Sequence, residues 1–447
     1  MLSRPVPLLG LVALGYLVLQ AVLVPADMTL EWDEAVYTSQ VAPGVPDAVF
    51  SAPRARGVTW LVAPIVHFTT DPAAIRWWMM IVAAVGLFLA FLPWTKLLKP
   101  GVTALAAGLF ATLWVTVWYG PQVMPNLYVA YGAVLAIGSL LVVREHGGFA
   151  AYAGLAAGFA GVAMLRPSDV LWLGVIAGPT ALLWRKWAAA ATILVSAVLG
   201  MVPWVVEAYT SFGSLLHRWA AAGEVQGGIA PAPGFWYEFK AANGPAFCRP
   251  CDIPLDRPYL LIWWIALPVL ALVSVKRWPV PVLAGLAMAA PYLFLVDYAA
   301  PRFLLPAYGL LMIPVAATVI RFRPPFAVLL AAHLVVQFVA LDAVKGQDYP
   351  LRQFQASFVR KMIDAGVTTP CTLVGTSVNP AHQFLTRCDV LILKPGESVA
   401  EATENIGGVV ATLTQKGPPM GSEGWERHVL ASSNGKPTWI TMIRPNP

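Results

Sequence analysis

Three carboxylates fall within four positions at Glu31-Trp32-Asp33-Glu34, with Tyr37 close behind, in a chain that has only 23 Asp and Glu over 447 residues. A carboxylate within hydrogen-bond reach of a hydroxyl can take its proton as a general base. A carboxylate pair can also hold a divalent cation such as Mg or Mn. A solvated loop with ordinary acids would carry the same residues, so spacing alone leaves these readings open. Basic residues stand out in Ser51-Ala-Pro-Arg54-Ala-Arg56, Leu165-Arg166-Pro167 and Pro301-Arg302-Phe303. Arginine presents a planar fork matched to phosphate, although a lone arginine at a helix end also snorkels to a membrane interface without any ligand. Gly375-Thr-Ser is not a phosphate loop, because the lysine of that motif is absent.

The elements that must carry these residues are built for lipid. The chain is 58% hydrophobic and 12% charged, against roughly a quarter charged in a soluble domain. A transmembrane helix needs about 20 mostly apolar residues. Eleven stretches qualify, near 5–24, 75–95, 101–119, 123–143, 149–165, 167–184, 188–207, 258–275, 279–296, 303–320 and 324–342. A twelfth run, 57–68, is too short to span and suits an interfacial helix. The first stretch is read as a retained helix rather than a signal peptide, because Val24-Pro-Ala-Asp27 is a poor cleavage site.

With the N-terminus in the cytoplasm, alternation of eleven helices gathers the short-loop basic residues, from Arg4 through Lys96, Lys99, Arg144, Arg185, Lys186, Lys276 and Arg277 to Arg321 and Arg323, on the inner side. The acidic cluster, the turn around Pro121–Pro125, the loop 208–257 and everything after 343 are then extracytoplasmic. The net charge of +6 is too small to suggest nucleic acid as a partner.

The composition divides the chain into a multi-pass helical domain, 1–342, and a small α/β domain, 343–447. In the latter, strand-like runs at Leu373, Val390 and Val409 alternate with helical candidates near 350–366, 380–387 and 397–405. All four cysteines fall on the predicted oxidising side. Cys371 with Cys388 and Cys248 with Cys251 is the pairing that joins residues of one segment, and a redox motif or half a zinc site is the alternative for Cys248-Arg-Pro-Cys251.

A first helix followed by Trp32-Asp33-Glu34-Ala-Val-Tyr37 resembles the polyprenyl-phosphate-sugar-dependent glycosyltransferases of the GT-C fold, in particular the bacterial protein O-mannosyltransferases and aminoarabinose transferases. The resemblance extends to the Gly154–Pro167 stretch, to Tyr209-Thr-Ser-Phe-Gly213, and to Ala300-Pro-Arg302-Phe-Leu-Leu-Pro306; the C-terminal domain lies outside it. It implies that Asp33 is the base that deprotonates an acceptor hydroxyl for inverting attack, with Glu34 the adjacent acid that positions it or contacts metal. It implies that Arg302 and Arg166 hold the donor phosphate; Arg54 and Arg56 are further candidates for that role, and Glu31, Tyr37 and Asn126 for acceptor or sugar contacts. The donor implied is a mannose- or arabinose-type sugar on polyprenyl phosphate. The acceptor is a glycan, protein, lipid or small metabolite of the cell envelope. Many members carry a second acid where this chain has Met124-Pro125-Asn126, and an amide binds a divalent cation weakly.

Two other classes fit a polytopic chain with outward charge. A lipid-linked-substrate transporter or flippase would carry ionisable residues near the bilayer midplane, and the predicted spans hold almost none. A catalytically degenerate assembly subunit would keep the fold and lose the second acid, as Asn126 allows.

Overall fold

The computed structural model describes residues 5–445 apart from 229, 243–250, 253, 256, 322–325, 416 and 434–435. Arg4, Arg323 and Cys248 therefore lie outside the described residues.

Among the described residues, six helices are long and apolar enough to cross a membrane: Pro5–Leu23, Pro72–Lys96, Pro125–Glu145, Trp187–Ser211, Pro301–Val319 and Ala327–Asp364. Six shorter apolar helices accompany them: Gly57–Val66, Pro100–Ala111, Phe149–Leu165, Pro167–Leu183, Pro258–Val273 and Pro279–Phe294. Each of the eleven predicted stretches is thus helical, with one departure. The stretch 101–119 is broken into Pro100–Ala111 and Trp114–Tyr119. A break at membrane depth strands backbone donors that lipid cannot satisfy. Here Gln337 Oε1 accepts the N–H of Trp114 at 2.9 Å. Thr112 Oγ1 meets His333 Nε2 at 3.0 Å.

The chain forms two compact units. The first comprises residues 1–26, 51–61 and 76–347. Its centre is the helix pair Pro125–Glu145 and Pro301–Val319, nearly all of whose residues are buried, whereas Pro5–Leu23 and Trp187–Ser211 are mostly uncovered and present Leu14, Val18, Leu194 and Leu199 outward. Exposed apolar faces of that extent suit contact with lipid chains. Close packing is set by glycine at Gly57, where a Cβ would stand 2.8 Å from Met164 O and 2.9 Å from a Leu165 methyl. The segment carrying Arg54 and Arg56 is thereby pressed against the residues just before Arg166.

The second unit comprises residues 27–50, 62–75 and 348–447. A five-stranded sheet runs in the order β2-β1-β3-β5-β4, with β1 Cys371–Gly375, β2 Asp389–Ile392, β3 Val409–Thr414, β4 Glu426–Ser433 and β5 Lys436–Ile443. β1 pairs parallel with β2 and β3, and β5 pairs antiparallel with β3 and β4. Alternation along the strands builds two cores. Leu373, Ala411, Leu430 and Ile443 pack with Phe358 and Met362, while Val374 and Val410 pack with Leu393 and Val399. The Cys371–Cys388 disulfide is formed.

The helical candidate near 350–366 is not a separate element. It is the end of one helix, Phe326–Asp364, that passes through Pro350. β4 and β5 carry no sequence expectation, and the antiparallel edge they add completes the sheet.

Candidate functional site

In the second unit, the acidic cluster opens the helix Trp32–Ser39. Glu31 is its N-cap, and Glu34 Oε2 accepts the Glu31 N–H at 3.0 Å in a capping box. Asp33 occupies the first turn, where the helix dipole favours negative charge; it is half-buried, while Glu34 is fully buried. Arg352, only 3% exposed, donates from Nη1 to Glu34 Oε2 at 2.8 Å and from Nη2 to Glu31 Oε2 at 3.2 Å. Its own helix neighbour Asp348 accepts from Nη2 at 2.7 Å and from Nε at 2.9 Å. Both acids that flank Asp33 are thus engaged by one buried guanidinium. Tyr37 is buried against the edge of Phe50, ring centroids 5.9 Å apart.

Two of the three acids are already committed to partners within the protein. Glu34 Oε2 already receives two N–H donors, Glu31 pairs with Arg352, and no group of three His, Cys, Asp or Glu with metal-holding geometry occurs among the described residues. Asn126, in the other unit, is buried at the start of Pro125–Glu145, and its Nδ2 has no hydrogen-bond partner among the described residues.

In the first unit, Arg166 and Arg302 are brought together on one aromatic ring. Their guanidinium carbons lie 5.1 and 5.4 Å from the centroid of Phe303. Both are largely buried. Arg166 pairs with Asp169 at 3.4 Å, and Tyr292 OH donates to Asp169 Oδ1 at 2.6 Å. Arg302 Nη1 donates to Tyr119 OH at 3.4 Å and stands over its ring. The ring contacts hold the two cations by their quadrupoles without consuming their donors.

The second acid of this cluster is one that the sequence reading missed. Glu238, on the helix Gly234–Ala241, is buried, and its Oε1 accepts the Ala300 N–H at 3.2 Å. Burial pushes its carboxyl well above the usual range, against the opposing pull of that N–H and of Arg302. The helix is seated on the segment 292–300. Ala232 N–H donates to Phe294 O at 2.9 Å, and a Cβ at Gly234 would collide with Tyr292 O.

Arg54 and Arg56 belong to a different arrangement. Arg56 Nη2 pairs with Glu207 Oε1 at 2.6 Å, and Glu207 Oε2 pairs with Arg218 at 2.8 Å. Fully buried Arg218 also donates to Ala52 O at 3.0 Å, Arg54 O at 2.9 Å and Trp204 O at 2.7 Å, and Arg54 Nη1 donates to Ser51 Oγ. Arg218 is a brace for the 51–56 segment. One further cation escaped the sequence reading: fully buried Arg76 donates to Pro121 O at 2.9 Å, in the turn before Asn126. Its position near the start of an apolar span gave no signal beyond the charge itself.

No protein-family model and no curated protein sequence matches the chain. Solved structures do. The crystal structure of ArnT from Cupriavidus metallidurans bound to undecaprenyl phosphate superposes with a TM-score of 0.70 at 11% identity, over 97% of each chain. The apo form of the same protein gives 0.64 at 11% identity, again over 97% of each chain. The Archaeoglobus fulgidus oligosaccharyltransferase AglB, in complex with an inhibitory peptide and a dolichol-phosphate, gives 0.50 at 12% identity over 90% of this chain and 69% of that one. The fold is therefore the GT-C fold expected from the resemblance, in a multi-pass helical membrane protein with a small C-terminal sheet domain.

Proposed function

We propose that the protein is an inverting glycosyltransferase that moves a mannose- or arabinose-type sugar from polyprenyl phosphate to an acceptor hydroxyl on the extracytoplasmic face. Fold alone does not carry an activity. The observation that carries this one is the pair Arg166 and Arg302 on Phe303, two buried guanidiniums beside a carboxyl, Glu238, that burial drives toward its neutral form. Such a cluster favours an anion, and the polyprenyl phosphate bound by the structurally similar ArnT is of the right class.

Asp33 is the base in this reading. It takes the acceptor O–H proton as the oxygen forms its bond to the anomeric carbon. The bond from that carbon to the phosphate oxygen breaks on the opposite side, so configuration inverts. The electron pair leaves with the polyprenyl phosphate, whose charge Arg302 and Arg166 stabilise in a partly dehydrated setting. Glu34 is a positioning acid, and Glu31 belongs to the same cap.

Two experiments test the reading. Native mass spectrometry of the purified chain with undecaprenyl phosphate is expected to show binding that Arg302→Ala and Arg166→Ala each weaken at least tenfold; undiminished binding in both variants contradicts the phosphate assignment. For sidedness, a thiol probe at Ser398→Cys is expected to react from the extracytoplasmic side, and labelling only from the cytoplasm contradicts it.

A further inference from the structure

Arg352 lies 318 positions from Glu34 in sequence, yet it reaches the acids on either side of Asp33, Glu31 and Glu34. It does not act alone. Tyr349, Arg352 and Gln353 fall at i, i+3 and i+4, one face of a helix. Tyr349 OH donates to Asp27 Oδ2 at 2.8 Å, and Gln353 Nε2 donates to Asp27 O at 3.0 Å. Arg352 Nη1 also reaches Thr29 O at 3.4 Å, and Thr29 Oγ1 donates to Arg352 O at 3.3 Å. Four consecutive contact points, Asp27, Thr29, Glu31 and Glu34, are therefore stapled to the stretch 348–353, which leads directly into the C-terminal sheet domain. The helix Pro380–Thr386 also packs against the Trp32–Ser39 helix, and Gln383 Nε2 donates to Pro46 O at 3.2 Å.

We propose that Arg352 is a positioning residue for Asp33, and that through it the C-terminal unit, rather than the helical unit, sets where the catalytic carboxylate stands. This rests on Asp33 being the base. The planar fork fixes two carboxylates two positions before and one position after Asp33, and Asp348 neutralises and orients the guanidinium from its own helix. The capping box then converts that fixation into a defined first helical turn. A base displaced by about 1 Å loses on the order of 10²-fold in rate, so the buried clamp is a determinant of turnover and not of donor affinity. The C-terminal domain, which lies outside the sequence resemblance, thereby acquires a role in catalysis. A change that shifts the sheet domain, such as acceptor docking on it, moves the base with it.

The test is a cycle in the full-length protein, with release of polyprenyl phosphate from polyprenyl-phosphate-mannose and polyprenyl-phosphate-arabinose measured in membranes. Arg352→Met is expected to lower kcat about 10- to 100-fold with the donor KM unchanged. Arg352→Lys is expected to recover part of the rate, because an ammonium meets one carboxylate but not two. In the Asp33→Asn background, Arg352→Met is expected to cause no further loss. Equal factors in both backgrounds would overturn the inference while leaving Asp33 as base, whereas an Asp33→Asn protein with wild-type rate would remove the base assignment itself. A spin label at Trp32→Cys supplies a readout that needs no turnover. Arg352→Met is expected to mobilise it while leaving a label at Ala400→Cys unchanged. Equal mobilisation at both positions would mean that the domain has simply unfolded, and no change at position 32 would mean that Arg352 does not hold the turn; either result overturns the proposal.

Discussion

Glu238 accepts the backbone N–H of Ala300 at 3.2 Å, two positions before Arg302. The carboxyl thereby fixes the backbone from which Arg302, one of the two arginines proposed to hold the donor phosphate, projects, and it does so from a helix in the long loop 208–257. Burial raises its pKa above the ordinary 4.5, so its contribution is fully present below that pH and is lost as pH rises toward the folded-state value. Glu238→Gln keeps the acceptor oxygen and is expected to change stability at pH 4.5 by less than about 1 kcal/mol while flattening that dependence, so that it gains on the wild type as pH rises. Glu238→Ala leaves the Ala300 donor unmet and is expected to cost about 1–3 kcal/mol. Thermal unfolding of the detergent-solubilised chain from pH 4.5 to 8 checks both. Identical pH slopes in wild type and Glu238→Gln would contradict the assignment.

His382 is 4% exposed, and neither ring nitrogen has a hydrogen-bond partner among the described residues. Burial pushes its pKa down to about 4. Above pH 6.5 it is neutral whether folded or unfolded and contributes no dependence. As pH falls from 6.5 to about 4, the unfolded chain takes a proton that the folded chain refuses, so stability drops by up to about 3 kcal/mol. Hydrogen–deuterium exchange of the 371–414 peptides is expected to accelerate across that window, and His382→Leu is expected to remove the effect. An unchanged acid response in the variant would contradict it.

How far these features can be read from sequence depends on the range over which they act. Apolar runs are local, and the described residues of the eleven stretches form helices, one stretch in two pieces. The acid cluster is local too, and its helix begins there. Arg352 was invisible because its i,i+4 partner Asp348 makes it look like an ordinary surface pair, while its decisive partners lie 318 and 321 positions away. Arg218 and Glu238 were hidden in the same way, in a loop whose sequence signals were its length, its opening Tyr209-Thr-Ser-Phe-Gly213 and a Cys-x-x-Cys. The continuity of Phe326–Asp364 was missed because Pro350 reads as a boundary, yet the helix passes through it.

The Cys371–Cys388 bridge closes 17 positions of chain around β1 and the helix Pro380–Thr386. In the chain-entropy account a loop of that size contributes about 3 kcal/mol. Reduction, or the double change Cys371→Ser and Cys388→Ser, is expected to speed exchange in β1, β2 and β3 while the Pro125–Glu145 helix keeps its protection. Uniform behaviour of the two regions would contradict a local role.

The braced segment 51–56 separates two roles for arginine. Arg218→Met takes the donor from three carbonyl oxygens and the ion-pair partner from Glu207 at once. It is expected to destabilise the fold by several kcal/mol as a buried network breaks. Arg54→Ala, at a partly exposed site, is expected to leave thermal stability within about 0.5 kcal/mol. Equal losses of melting temperature would contradict the distinction.

The central claim is that Asp33 removes the acceptor proton. Its most direct test is the rate of sugar transfer from polyprenyl phosphate in Asp33→Asn, which preserves size and hydrogen bonding, measured alongside undecaprenyl phosphate binding by native mass spectrometry. Turnover is expected to fall by about 10²- to 10⁴-fold with binding retained. Transfer at the wild-type rate in that variant would contradict the account.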